Sequence, residues 1–442
     1  MRTIRTTRRR VLAGTALAGV ATLALASCSG GSGGGDVDTD AALEEGGTIT
    51  VWAWEPTLEP VIEDFEADNP GVTVELVNVG TGIDSYTALQ NAITAGQGLP
   101  DLVQIEYYAL PQFALQESLT DLTEFGADEY DGAFATGPWD SVHSGEQIVG
   151  LPMDSGPMAL FYNKTVFDEY GVEVPATWEE FAEAAAQFQE ANPDVYIGNE
   201  SSDAGFAASM MWQAGGTPWT VDGTNVSFDL TGDAGAQAYA ELWQGMLDDE
   251  LLAPIEGWTD EWFQGMANGT LATLPIGAWM PANLESSVPD GSGDWRVAPM
   301  PQWTEGEATS SENGGSSLAI PADAENKELA YAFMEYANAG DGVQTRLDNG
   351  AFPATTADLE SDEFLNQEFE YFGGQKINEV LAESSANVVE GWQYLPFQVY
   401  ANTIFGDSVG QAFLGDGTIS EQLGSWQSTL EQYGADQGFT IE

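Results

Sequence analysis

The chain has 442 residues, 71 of them acidic and 10 basic, for a formal net charge of −61. Little is left of the Lys and Arg on which affinity for nucleic acid and anionic lipid head groups rests. Hydrophobic residues at 43% and aromatic residues at 11% are enough to build cores and exclude a disordered acidic chain. The single cysteine excludes an internal disulfide, and the single histidine, His143, leaves little material for a Ser-His-Asp triad or a histidine metal site.

The chain begins with Arg2, Arg5, Arg8, Arg9 and Arg10, followed by small and apolar residues from Val11 to Ala26. This order is that of a secretory leader, and the apolar run is short of the roughly 20 residues of a bilayer span. Thr7-Arg8-Arg9-Arg10-Val11-Leu12 resembles the twin-arginine export signal. Leu25-Ala26-Ser27-Cys28 resembles the bacterial lipobox, so Cys28 is the expected lipid attachment site and residues 1–28 the signal peptide. Several acyl chains on one residue give a stable anchor, which places the protein on the extracellular face of the cell membrane. The Gly/Ser run from Ser29 to Gly35 and the acidic stretch after it predict a flexible tether over 29–46. Without the leader, 10 − 5 = 5 basic residues face 71 acidic ones, a balance of 5 − 71 = −66. Such charge keeps a protein soluble and strains it by self-repulsion at low salt.

About 395 residues follow the tether, too many for one ordinary core, so two lobes are expected. Thr48 to Trp54 alternates as a strand. Residues 58–68 place Leu58, Val61, Ile62 and Phe65 on one helical face, and Asn69-Pro70-Gly71 stops that helix. A strand from Val72 to Val79, a helix over 84–95 and a strand from Leu102 to Ile105 continue the rhythm of a parallel sheet with helical crossovers. Two more strands, Ile148–Met153 and Met158–Tyr162, flank Asp154-Ser155-Gly156-Pro157, a natural place to change lobe. Thr177 with Glu180 predicts a capping box opening a helix to about Ala191. A second α/β region runs to about Trp303, Asn313 to Ser317 is a joint before the strand Leu318–Ile320, and the remainder is mostly helical, including 327–339 and 420–433.

Several segments in this order resemble the family 1 extracellular solute-binding proteins, which include the maltose- and oligosaccharide-binding proteins. They are Trp52-Ala53-Trp54-Glu55, Gly98-Leu99-Pro100-Asp101-Leu102-Val103, Gly150-Leu151-Pro152-Met153-Asp154, Leu160-Phe161-Tyr162-Asn163-Lys164, Pro175-Ala176-Thr177-Trp178-Glu179-Glu180 and Gly277-Ala278-Trp279-Met280. The resemblance runs from Gly46 to the C-terminus. It implies an α/β, two-lobe periplasmic-binding-protein-like fold (type II), whose hinge-linked lobes close on a ligand in the cleft between them. It further implies a first lobe of 47–154 and about 316–370, a second of 155–315 and about 371–442, and a third crossover between about 365 and 380. The implied function is the solute-binding subunit of an ABC importer, delivering a sugar or oligosaccharide to the permease subunits. A monomer without cofactor, metal or enzymatic activity is expected.

A sugar offers hydroxyls at its rim and C–H patches on its faces, which call for carboxylates, amides and flat rings. Such groups stand at C-terminal strand ends, where open α/β sheets bind ligands: Trp54 and Glu55 after the first strand, Glu106 and Tyr107 after the third, and Asp154 at the first crossover. These positions also match ligand contacts in the sugar-binding relatives, as does Trp279, whose counterpart stacks on a sugar ring. Gly314 and Gly315 offer backbone groups or serve the hinge, and Trp212, Trp392 and Gln393 complete the candidates. Trp178 reads as helix packing and Arg346 as structural. No Asp-Lys pair follows Trp52, and Glu106-Tyr107-Tyr108 departs from the maltose binders, which puts maltose itself in doubt.

Two rival functions are a surface glycoside hydrolase, for which paired carboxylates would supply acid–base chemistry, and a binding protein for a cationic solute such as a polyamine, held by acidic and aromatic side chains. Nothing marks a particular carboxylate pair, and five basic residues argue against an anionic solute.

Overall fold

The computed structural model describes residues 39–199 and 203–442. The leader, the twin-arginine motif and Cys28 lie outside the described residues. No helix among the described residues is long and apolar enough to cross a membrane.

The first strand forms over Gly47–Trp52 and pairs in parallel with Val72–Val77 and, at its C-terminal end, with Leu102–Glu106. Helices Leu58–Asp68 and Ile83–Ala95 make the crossovers that parallel pairing requires. The first buries Leu58, Val61, Ile62 and Phe65, the predicted stripe, and stops at Asn69, whose N–H reaches Phe65 O. Beyond Leu102–Glu106 the sheet continues with Ser316–Ala319 and then Leu151–Pro152, each antiparallel to its neighbour. The expected parallel sheet is thus parallel only over its first three strands. It reverses where the chain returns from the second lobe.

The second lobe is built on Met158–Asn163, antiparallel to Thr273–Gly277 on one side and Trp295–Ala298 on the other. Met158 and Leu160 point into one core with Trp178, Phe181 and Phe188, while Ala159 and Phe161 point into another with Trp262, Leu284 and Phe372. A strand covered on both faces reads as an unbroken apolar run rather than an alternation. Helix Trp178–Ala191 starts on the predicted capping box: Glu180 N donates to Thr177 Oγ1 at 3.1 Å, and Thr177 N donates to Glu180 Oε2 at 3.2 Å. Trp52, Trp54 and Trp139 belong to the first lobe, and every other tryptophan to the second.

Thr39–Glu45, read as tether, is a helix whose Ala42 and Leu43 pack on the first-lobe core, because even one or two turns hold when docked on existing apolar surface. The stretch after helix Lys327–Ala339 packs against both lobes: Ala337 and Ala354 lie in the first-lobe core, and Phe352, Leu359 and Phe364 in the second.

Between the lobes the chain forms a narrow ribbon. Met158 N donates to Ser311 O at 2.9 Å and Asn313 N to Gly156 O at 2.8 Å, so two connecting segments lie side by side. A third segment joins them through Val389 N to Ser310 O at 3.0 Å.

Candidate functional site

The turn after the first strand is held by one buried amide. Gln104 Oε1 accepts from Trp54 N at 3.0 Å and from Glu55 N at 3.1 Å, while its Nε2 donates to Ser316 Oγ at 3.2 Å. Trp54 and Glu55 are partly buried there, and the Glu55 carboxylate accepts from Thr57 N. The Trp54 ring meets Tyr86 edge-on at 6.3 Å, and Tyr86 meets Tyr108 edge-on at 6.0 Å. Tyr86 Oη donates to Glu106 Oε2 at 2.8 Å and accepts from Glu106 N at 3.0 Å. Burial pushes the Glu106 carboxyl up, its bonds to Tyr86 and Tyr108 pull it back, and Asp203 of the second lobe pushes it up again. Glu106 is thus held by phenols of its own lobe and feels the charge of a carboxylate in the other.

Asp154 stands at the start of the ribbon and accepts from Ser316 N at 2.6 Å. Burial pushes its carboxyl up to about 7, against the pull of the Arg346 guanidinium and with a further push from Glu55 and Glu106. Arg346 is buried; its Nη1 donates to Met153 O and its Nε to Thr57 Oγ1 at 3.4 Å, the structural role expected of it. Glu312 was not anticipated. Its carboxylate accepts from Gly156 N at 2.7 Å and from Ser155 Oγ at 3.1 Å, and burial pushes it up to about 7. Nothing in its sequence surroundings, Ser310-Ser311-Glu312-Asn313, separates it from the many solvated carboxylates.

In the second lobe Trp279 Nε1 donates to Asn313 O at 2.6 Å. The approach depends on Gly277: a Cβ there would lie 2.5 Å from both Asn313 O and Trp279 Nε1. Trp258 stacks on Trp279 with centroids 5.7 Å apart and planes at 23°. It is 51% exposed and has φ 65°, a left-handed backbone that costs a bulky residue about 1–2 kcal/mol. Sequence reasoning missed Trp258, since no pattern in Glu256-Gly257-Trp258-Thr259 announces a left-handed tryptophan. With Asn199, Asp203, Glu256 and Asn313 it borders a chamber of about 320 Å³ in the second lobe.

The remaining candidates fall elsewhere. Tyr107 is 1% exposed and turns inward; its Oη donates to Asp154 O at 2.6 Å and its ring fills the space beside Gly315. As a correction, Tyr107 supports the ribbon: it sits in the turn after strand Leu102–Glu106, where its ring is buried while Glu106 and Tyr108 are only partly so. Gly315 O accepts from Tyr107 N at 3.1 Å, so that carbonyl is engaged within the fold, and Gly314 sits against Trp279 Nε1. Trp212 and Trp392 stack on each other at 5.3 Å and border a different cavity, of about 740 Å³, which shares no lining residue with the chamber beside Trp258. Gln393 binds the hairpin strand Trp219–Asp222, accepting from Val221 N at 3.0 Å. Among the described residues no group of three or more His, Cys, Asp or Glu is placed to hold a metal ion.

Residues 53–342 match the family model described as bacterial extracellular solute-binding protein. The lactose-binding protein of Rhizobium radiobacter is 25% identical over 351 residues, covering 75% of this chain and 80% of that protein. The arabinooligosaccharide-binding protein of Halalkalibacterium halodurans is 26% identical over 393 residues, covering 85% and 86%. Among solved structures, the ABC transporter associated binding protein of B. animalis subsp. lactis Bl-04, in complex with β-1,6-galactobiose, is 46% identical with a TM-score of 0.82, covering 89% of this chain and 99% of that one. The galacto-N-biose-/lacto-N-biose I-binding protein of Bifidobacterium longum, at 24% identity, shares the fold with a TM-score of 0.79, covering 90% and 99%.

Proposed function

The chain belongs to the bacterial extracellular solute-binding proteins, and from that premise we propose that it is the saccharide-binding subunit of an ABC importer, taking a neutral disaccharide or short oligosaccharide of the galactobiose kind. One observation carries the reading. Glu106, with Tyr86 and Tyr108, feels the charge of Asp203 from the second lobe, and Asp203 shares its chamber with Trp258, which stacks on Trp279. Carboxylate and phenol oxygens in fixed directions suit ring hydroxyls, and indole faces suit the C–H patches of a sugar. The groups that set the Glu106 titration include no cation, which disfavours an anionic solute. The similarity to the galactobiose-bound protein, at 46% identity over nearly all of it, supports the same solute class.

In this reading Trp54, Glu55, Glu106 and Trp279 surround the solute, Asp154 and Glu312 set the ribbon about which the lobes close, and the closed form is handed to the permease. Cys28 carries the lipid that keeps a monomeric receptor at the outer face of the membrane. The solute leaves chemically unchanged.

The test is isothermal titration of the purified protein with β-1,6-galactobiose, lactose, an arabinooligosaccharide and spermidine, followed by chromatography of the recovered sugar. Saturable binding of at least one neutral saccharide, recovered intact, is expected. Binding of spermidine alone would replace the solute class, and release of monosaccharide would make the protein a hydrolase.

A further inference from the structure

Trp258 is the bulky residue that the fold has least reason to keep. It is half exposed, so its indole recovers little hydrophobic free energy on folding, yet its backbone is left-handed. The loop imposes that conformation. Thr259 Oγ1 donates to Glu256 O at 2.8 Å and accepts from Trp262 N at 3.2 Å, so one hydroxyl both caps helix Asp260–Asn268 and ties back the residue two before Trp258. Strain of this kind persists where surroundings over-determine it, and it gathers at ligand clamps.

The stacked pair is unequal. Trp279 is partly buried, pinned by Asn313 O and overlaid on one side by Trp258. Trp258 borders the chamber that also holds Asn199, Asp203 and Glu256, while Trp279 is absent from its walls. Asn199 is held by Ile255 O and Trp262 Nε1, while the carboxylates of Asp203 and Glu256 bring to the chamber the directional acceptors that a ring rim needs beside an aromatic plate.

We infer that Trp258 is the plate on which the solute's ring lies, and that Trp279 is a positioning residue that backs it and holds it level. This rests on the saccharide reading above and reassigns the stacking contact within it. The preferred solute is one whose pyranose presents an unbroken C–H face to Trp258 while its hydroxyls reach Asp203 and Glu256.

Three variants of the full mature protein test the inference, with β-1,6-galactobiose as probe in titration calorimetry and with the melting temperature of the unliganded protein as the control for folding. Trp258→Gly suits φ 65° and removes the plate; affinity falls at least about 10-fold while the unliganded melting temperature holds or rises. Trp258→Phe restores most of the affinity. Trp279→Phe keeps a backing ring but loses the bond to Asn313, and costs less affinity than Trp258→Gly. Affinity of Trp258→Gly within about 2-fold of wild type, or a larger loss from Trp279→Phe, overturns the assignment. A wild-type protein that binds no neutral saccharide defeats the saccharide reading itself, an outcome separable from an indifferent variant.

Discussion

The Glu312 carboxylate accepts a 2.7 Å hydrogen bond from the backbone N–H of Gly156, so a side chain of the returning segment grips the outgoing one. The Ser155 hydroxyl adds a second bond at 3.1 Å, and Glu312 O accepts from Ser209 Oγ of the second lobe at 2.7 Å. The ribbon between the lobes is therefore cross-linked by side chains as well as by its own backbone, at the place where it must bend.

That grip depends on pH. Glu312 has its carboxyl pushed by burial to about 7, above the usual carboxylate range. A carboxyl raised in the folded state contributes its stability in full below its unfolded value, near 4.3, and loses it as pH rises through about 7. Glutamine keeps an accepting oxygen and never ionises. Glu312→Gln is expected to match wild type in melting temperature at pH 4 and to exceed it by several degrees at pH 8, a gain on the order of 3 kcal/mol at most. A pH series of melting curves checks this; a constant difference would remove the titration from the account.

Tyr86 serves Glu106 twice, as donor to the carboxylate and acceptor from the backbone N–H. Tyr86→Phe frees the carboxylate to swing and leaves that N–H without its partner, at a cost of about 1–3 kcal/mol. Affinity for β-1,6-galactobiose should fall about 10-fold, and Glu106→Gln should lower it as much while stabilising the unliganded protein, since burial opposes the charge. Calorimetric titration and melting curves on both variants give the answer.

Gly315 has φ 95°, and a Cβ there would stand 2.6 Å from Tyr107 Cε2. Gly315→Ala combines left-handed strain with a clash against a ring that cannot retreat, because its hydroxyl holds Asp154 O. A loss of about 2–4 kcal/mol in urea unfolding is expected.

Thr177→Ala breaks the capping box of helix Trp178–Ala191 at a residue that does not line the chamber beside Trp258, and should cost about 1 kcal/mol with no change in saccharide affinity. It separates loss of stability from loss of the site.

Much of the fold was legible because its signals are local. Helix Leu58–Asp68 is marked by its apolar stripe and its Asn-Pro-Gly stop, and helix Trp178–Ala191 by Thr177 and Glu180. Trp279, Glu106 and Asp154 were proposed from strand ends and resemblance. Tyr107 read as a contact because it follows Glu106, but the turn after the strand buries its ring and hydroxyl inside the fold. Glu312 and Trp258 were missed for a shared reason. What distinguishes one is a partner 156 residues away, and what distinguishes the other is a backbone angle, neither of which composition or spacing records. The docked helix Thr39–Glu45 was lost in the same way, since its stability lies in the surface it meets.

The uneven spread of tryptophan has a practical consequence. With Trp52, Trp54 and Trp139 alone in the first lobe, intrinsic emission is dominated by the second. A melt followed at the indole wavelength would report that lobe's collapse and pass almost silently over its neighbour's, whereas far-ultraviolet circular dichroism weighs both. Superimposable curves from the two probes would mean the halves come apart together, and displaced curves would mean each keeps its own temperature.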